Sequence, residues 1–154
     1  HCVTQWIRLE NTWEGVAFSD VMKLLAPRPE AEHVMVHYYG GYTTNVALDV
    51  LLDTDVLFTC RHDGAPLEVA HDGPPWLVVP KRYGWKSAKW VNGIELIGED
   101  EPGFWELRGY HVEGEPWKEQ PRGQNKGPRS VGALDAFLRP LLRDLSLSLA
   151  PPGG

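Results

Sequence analysis

Hydrophobic and polar residues repeat with a helical period near the start of the chain. Four apolar residues recur at this spacing within VAFSDVMKLLA, namely Val16, Val21, Leu24 and Leu25. Ser19 is a favourable N-cap residue, and the following PRP cannot continue the pattern. The pattern therefore predicts one helix from about Ser19 to Ala26.

Residues 33–97 have the patterns of strands. HVMVHYY is β-branched and aromatic and predicts a strand that runs into the loop GGYTTN. In DVLFTCRHDGAPLEVA, the dipeptide Asp63-Gly64 favours a tight primed turn and predicts a hairpin. WLVVP predicts a buried strand, and KRYGWKSAKWVNGIELI predicts a charged loop that ends as a strand. One helix among several strands predicts an α+β fold with mostly antiparallel or mixed sheets.

Composition adds the size and the charge of this fold. The 154 residues, of which 42% are hydrophobic, predict a single domain with a true core. The chain carries 21 acidic and 15 basic residues, which argues against a nucleic-acid partner or an anionic membrane as its general target. It also contains no apolar run near the roughly 18 residues that span a bilayer. An anion site, if there is one, must be local.

The C-terminal part differs from the rest in composition. EPWKEQPRGQNKGPRSVG is rich in Pro, Gly and charge and predicts a linker, so we place the domain at residues 1–119. Residues 120–154 are predicted to be this linker and an amphipathic segment that docks or binds a partner. The stripe of that segment consists of Leu134, Phe137, Leu138, Leu141 and Leu142. Pro140 is expected to end or kink its helix.

The most basic stretch of this acidic chain is KRYGWKSAK, residues 81–89, called here the lysine loop. As a solvated loop, it would carry lysines whose stems lie along the surface. As an anion cradle, its Gly84 would let the backbone approach a phosphate that Lys81, Arg82, Lys86 and Lys89 neutralise. The residue types alone leave both interpretations open.

Cysteine and histidine offer three further possibilities. Cys2 is either a small buried hydrophobe or a thiolate that binds a soft metal or acts as a nucleophile. The second cysteine, Cys60, allows a disulfide whose geometry the sequence cannot test. His33 and His37 have the four-residue spacing of a helical metal site, but on a strand this spacing covers about 13 Å and argues against chelation.

Six motifs together resemble the molybdopterin-binding domain of the sulfite oxidase family, in their order and approximate spacing. They are HCVTQW, WEGVAFSDVMKLL, GGYTTN, RHDGAPL, VVPKRYGWKSAKWVNGIEL and PGFWELRGYHVEGEPWKE. The resemblance covers about residues 1–119 and is greatest to the small bacterial sulfite-oxidase-like oxidoreductases. It implies the α+β fold of that family and a molybdenum-molybdopterin cofactor.

The resemblance also assigns roles to individual residues. In the family, the cysteine of the HCVT segment is the protein ligand of molybdenum, which is Cys2 here. The family's tyrosine near the metal corresponds to Tyr42, which would donate a hydrogen bond to the oxygen in transfer. The residues that would hold the pterin and its phosphate are His71, Ser87, Ala88 and Lys89, with Lys86 close by.

The implied activity is two-electron oxygen-atom transfer on a small sulfur oxyanion or a sulfoxide, with an unidentified electron donor or acceptor. Enzymes of the family that oxidise sulfite surround the site with arginines, and the sequence assigns none of Arg8, Arg61 and Arg82 to that role. Trp76 stands where relatives often have a cofactor-binding arginine. The alternatives are a non-catalytic binding or interaction module and a Cys-His hydrolase.

The family places a substantial segment before the metal cysteine, so we expect that this chain lacks an N-terminal part. The given residues contain no basic-then-apolar leader, which predicts a cytoplasmic protein. The expected missing part leaves a periplasmic location open.

Overall fold

Two antiparallel β-sheets form the framework of the computed structural model, which describes residues 1–2, 4, 7–69 and 73–122. The strands are β1 (Trp13–Ala17), β2 (His33–Tyr38), β3 (Thr43–Ala47), β4 (Leu57–His62), β5 (Ala65–Pro66), β6 (Trp76–Val78) and β7 (Val91–Ile97). The helices are α1 (Phe18–Leu25) and α2 (Leu48–Leu51), and short 3₁₀ turns lie at Gly84–Lys86, Glu106–Arg108 and Pro116–Lys118.

Each sheet is built around one central strand. In the first sheet, β4 pairs with β1 along one edge and with β5 and β6 along the other. In the second sheet, β2 lies between β3 and β7. All of these pairs are antiparallel, which confirms the predicted α+β class with mostly antiparallel sheets. The described residues contain no helix that is long and apolar enough to cross a membrane.

Helix α1 forms where the sequence predicts it, but its cap and its buried face differ from the prediction. Ser19 is not the N-cap: β1 runs directly into the helix, and the Phe18 N–H donates to the Val56 carbonyl at 3.0 Å. This bond satisfies a free N–H of the first turn without a capping side chain. The buried residues are Phe18 and Met22, whereas Leu24 of the predicted stripe is 87% exposed.

The stretch GGYTTN is only partly a loop, which corrects the prediction. Gly40 and Gly41 have φ of 88° and 79°, a turn conformation that glycine adopts without strain, and β3 begins at Thr43. Residues 43–47 pair with β2 in a regular antiparallel register. The prediction missed this strand because its buried positions include the polar residues Thr44 and Asn45.

The hairpin at Asp63-Gly64 is confirmed. Both residues have positive φ, 49° and 78°, as a primed two-residue turn requires, and the turn joins β4 to β5. The Asp63 carboxylate accepts a hydrogen bond of 2.9 Å from the Thr12 backbone N–H and also pairs with Arg8. The Thr12 bond is the main reason why the pKa of Asp63 is lowered.

The core consists of aliphatic and aromatic residues from both sheets and both helices. Its buried members are Phe18, Met22, Val34, Val36, Val46, Leu51, Val56, Leu77, Val79 and Ala88. Ala88 belongs to the lysine loop, so one side of this loop is part of the core. The predicted C-terminal stripe lies outside the described residues, and the boundary at residue 119 stays a prediction.

Replacing Phe18 by Ala should lower the free energy of unfolding by about 3–5 kcal/mol, because it leaves a cavity at a fully buried position. Leu24→Ala on the same helix is the control and should change this free energy by less than about 0.5 kcal/mol. Urea denaturation of the two variants measures both values. Equal losses would contradict the orientation of α1.

Candidate functional site

The first two residues lie against the lysine loop. The His1 carbonyl accepts a hydrogen bond of 2.8 Å from the Gly84 N–H, and the His1 ring packs edge-on against Trp117 with centroids 4.7 Å apart. Cys2 is partly buried beside them, and its Sγ lies 3.0 Å from the Thr4 hydroxyl oxygen. The structure thus brings together two motifs that are about eighty residues apart in the sequence.

The central turn of the lysine loop is held by backbone hydrogen bonds. The Tyr83 N–H donates to the Gly114 carbonyl at 2.9 Å, and the Ser87 N–H donates to the Gly84 carbonyl at 3.1 Å. The Ser87 hydroxyl accepts from the Val79 N–H at 3.0 Å, and the Ala88 carbonyl accepts from the Leu77 N–H at 2.7 Å. Residues 87 and 88 are therefore joined to β6 and the segment that follows it.

Lys86 is enclosed by the protein. Its Nζ lies 2.6 Å from Glu106 Oε1, 2.7 Å from the Asn45 carbonyl oxygen and 2.9 Å from Asn45 Oδ1. Burial lowers the pKa of Lys86, and the Glu106 carboxylate opposes this effect. An ammonium group has three hydrogens, and three acceptors already surround this one. A direct contact from Lys86 to a cofactor phosphate, as the resemblance suggested, therefore has no donor left to make it.

Lys89 lies on the other side of the loop, next to the tryptophan that replaces the expected arginine. Its Nζ is 4.7 Å from the centroid of the Trp76 ring, a cation–π distance. Trp76 Nε1 is buried and has no hydrogen-bond partner among the described residues. The indole N–H of Trp76 therefore lies beside an ammonium group, and an anionic group at this place would accept a hydrogen bond from the indole.

Tyr42 contacts the same turn of the lysine loop. Its hydroxyl donates to the Trp85 carbonyl at 3.2 Å, and its ring stacks on Tyr38 with centroids 4.3 Å apart. Burial raises the pKa of the Tyr42 phenol, and the nearby Glu106 carboxylate raises it further. Tyr42 therefore stays protonated at neutral pH and is a hydrogen-bond donor rather than a base.

The remaining candidates lie apart from this cluster or outside the described residues. His71 belongs to the residues that the structure does not describe. His33 and His37 lie on β2, where His37 Nε2 is 3.3 Å from Glu95 Oε2. Cys60 is exposed on β4, and neither cysteine is in a disulfide. Within the described part of the chain, no three His, Cys, Asp or Glu residues form a group that could hold a metal ion.

Each of the three unassigned arginines is paired with a carboxylate. Arg8 pairs with Asp63, Arg61 Nε lies 3.3 Å from Glu14 Oε2, and Arg82 lies 3.6 Å from Glu115 Oε1. Their guanidinium charges are therefore balanced within the protein.

Sequence reasoning missed Asn45 and Glu106, the partners of Lys86, as well as Trp117, which packs on His1. Glu106 follows the aromatic pair of GFWEL, and an acidic residue in such an apolar surrounding was a usable signal. Asn45 had no such signal, because the assignment of GGYTTN to a loop made an asparagine unremarkable.

The residues present fit the cofactor that the resemblance implies. Cys2 offers a soft sulfur ligand. Lys89 and the indole N–H of Trp76 offer donors for a phosphate. Hydrogen bonds to Leu77 and Val79 fix residues 87 and 88 of the loop. The site thus offers a thiol for the metal, and an ammonium group and a neutral N–H for the phosphate.

Comparison with known proteins agrees with this fit. The model of the oxidoreductase molybdopterin binding domain matches residues 1–105. The uncharacterized oxidoreductase YuiH of Bacillus subtilis is 45% identical over 120 residues, which are 78% of this chain and 61% of YuiH. The protein-methionine-sulfoxide reductase catalytic subunit MsrP of Gluconobacter oxydans is 25% identical and aligns with 88% of this chain and 50% of its own length. The chain thus spans less than two thirds of these relatives.

A solved structure shares the fold. The sulfane dehydrogenase SoxCD of Paracoccus pantotrophus superposes with a TM-score of 0.52 at 23% identity, over 55% of this chain and 22% of that one. Members of the matched family bind the molybdenum cofactor through this domain. The motifs, the sheets and these relatives confirm the resemblance, and the chain belongs to the sulfite-oxidase-type family of oxidoreductase molybdopterin-binding domains.

Proposed function

We propose that this protein is a molybdenum-cofactor-dependent oxidoreductase that performs two-electron oxygen-atom transfer on a small sulfur compound. The observation that carries the proposal is the hydrogen bond between the His1 carbonyl and the Gly84 N–H, which holds Cys2 beside the lysine loop. This contact supports the assignment of the predicted metal ligand and the predicted phosphate-binding segment to one site. Membership of the family supports the cofactor.

The chain's own residues would bind and orient the cofactor. Cys2 would supply the thiolate ligand, and Ser87, Ala88 and Lys89 would hold the pterin and its phosphate. His71 keeps its predicted role in pterin binding. The cofactor, when bound, supplies the two-electron redox change and the site of oxygen exchange.

Tyr42 would act on the oxygen atom in transfer. The Trp85 carbonyl orients its hydroxyl, and the raised pKa keeps the proton on the phenol oxygen. A hydrogen bond from this hydroxyl to the substrate oxygen requires it to turn away from the Trp85 carbonyl. Such a donor stabilises negative charge that develops on the oxygen.

A neutral sulfoxide is the favoured substrate, with an anion such as sulfite as the second candidate. Arg8, Arg61 and Arg82 are all paired with carboxylates, so an anion would compete with these partners. Two relatives are named for the reduction of methionine sulfoxide in proteins. In this reaction the sulfur–oxygen bond breaks, two electrons from a separate donor reduce the sulfur, and two protons convert the oxygen to water.

Replacing Cys2 by Ser should abolish oxygen-atom transfer, because a neutral hydroxyl is a poor substitute for a thiolate on this metal. Cys60→Ser is the matched control and should keep its turnover, since Cys60 is exposed on β4 and has no predicted role as a metal ligand. The turnover of both variants is measured as the rate of sulfoxide reduction per bound molybdenum, with a reduced dye as the electron donor. Full activity of Cys2→Ser would refute the ligand assignment. If wild-type protein from a host that makes the cofactor contains no molybdenum, that result would favour the non-catalytic interaction module instead.

Lys89→Ala should lower the molybdenum content several-fold and change the turnover per bound molybdenum much less. A phosphate contact far from the reacting oxygen acts on binding rather than on the transition state. Tyr42→Phe should show the opposite pattern, with normal molybdenum content and turnover reduced about tenfold or more. Elemental analysis and single-turnover kinetics separate the two effects. Equal occupancy with slower turnover in Lys89→Ala would contradict the assignment of Lys89.

A further inference from the structure

A pair of opposite charges lies buried directly beneath the lysine loop. The side chains of Lys86 and Glu106 are 1% and 0% exposed, and Lys86 Nζ is 2.6 Å from Glu106 Oε1. A buried ion pair loses about as much hydration free energy as it gains in attraction, so it is a poor device for stability alone. Its position calls for a different explanation.

The pair joins three separate segments of the chain. Lys86 belongs to the 3₁₀ turn of the lysine loop, and Nζ donates to the carbonyl and Oδ1 of Asn45 on β3. Glu106 begins a second 3₁₀ turn, and its Oε1 also accepts a hydrogen bond of 3.2 Å from Trp85 Nε1. The Glu106 carboxylate thus binds two successive residues of the loop, namely the indole N–H of Trp85 and the ammonium group of Lys86.

The segment that carries Glu106 packs tightly on β3. A Cβ atom placed on Gly103 would lie 2.8 Å from the Thr43 carbonyl oxygen and 2.9 Å from Glu106 Oε2. The Phe104 N–H donates to that same carbonyl at 2.9 Å. The absence of a side chain at residue 103 therefore lets the carboxylate approach the strand and the lysine loop together.

The turn held in this way has contacts with two described parts of the proposed site and leads directly into a third. The Gly84 N–H binds the His1 carbonyl next to Cys2, and the Trp85 carbonyl accepts the Tyr42 hydroxyl. Ser87 to Lys89 follow without a break. A rotation of this turn would move the metal ligand, the hydrogen-bond donor and the phosphate-binding segment at once.

We propose that the Lys86–Glu106 ion pair is a positioning pair, which fixes the lysine loop in the orientation that binds the cofactor. Charged hydrogen bonds are strong and directional, so they select one orientation of the turn. An apolar pair of similar volume would fill the space without this angular preference. The inference rests on the proposed function only for the identity of the bound group.

The test replaces both charges together, because a single replacement leaves the other charge buried and unpaired. Lys86→Met/Glu106→Leu is compared with Leu51→Ala, which opens a cavity in the core and leaves both charges in place. All proteins carry Cys60→Ser, so that Cys2 is the one thiol that labels. Three quantities are measured: the thermal midpoint, the molybdenum and pterin per chain, and the rate at which a thiol reagent labels Cys2 in cofactor-free protein.

We expect the double variant to keep a thermal midpoint equal to or above that of Leu51→Ala, while its cofactor content falls at least tenfold and the labelling rate of Cys2 changes several-fold. Leu51→Ala should keep both the content and the rate of the parent. Cofactor content and labelling like those of Leu51→Ala would overturn the proposal. If the parent protein itself carries no molybdenum, the proposed function fails, and the labelling rate alone decides on the positioning pair.

Trp85→Phe tests the pair without removing a charge. It keeps an aromatic ring that can stack on Tyr83, whose ring centroid lies 4.8 Å from that of Trp85, and it removes the hydrogen bond to Glu106 together with the second ring of the indole. It should lower the cofactor content about threefold and shift the labelling rate in the same direction as the double variant. This variant decides the question if the double variant fails to fold, and unchanged content and labelling would then refute the proposal.

Discussion

The candidate site depends on the burial of the Lys86 ammonium group. A lysine that loses its water must find acceptors inside the protein for three hydrogens, and here Glu106 and Asn45 supply them. These acceptors come from segments about sixty residues apart. A shift of the segment of Lys86 or of Glu106 alone would leave a buried charge unpaired, which costs about 3–5 kcal/mol. A shift of β3 would remove the two Asn45 acceptors.

The lysine loop contributes both to the apolar core and to the candidate site. Ala88 is fully buried in the apolar core, whereas the neighbouring Lys89 packs its charge on the ring of Trp76. Hydrogen bonds to Leu77 and Val79 attach the loop to the first sheet and its exit segment. The packing of Ala88 in the core therefore also fixes the position of the Lys89 charge next to it in the sequence.

The chemistry of the site is sparse in charged groups that are free for a substrate. The arginines that the sequence offered are paired with carboxylates, and the Tyr42 hydroxyl is a protonated donor. A protein of this kind contributes orientation and hydrogen bonds, while a cofactor contributes the redox change. This division of roles fits the family to which the chain belongs and is the basis for proposing a neutral substrate.

The sequence by itself determined the strand-rich class, the helix at α1, the hairpin at Asp63-Gly64 and the family, because periodicity, turn chemistry and short motifs are local. It did not show that β3 is a strand, since Thr44 and Asn45 are polar and their burial depends on distant partners. Nor did it show which lysine of the loop is enclosed by the protein. Only the tertiary structure decided that Lys86 faces Glu106 while Lys89 faces Trp76, because a charge pair across twenty residues leaves no periodic trace in the sequence.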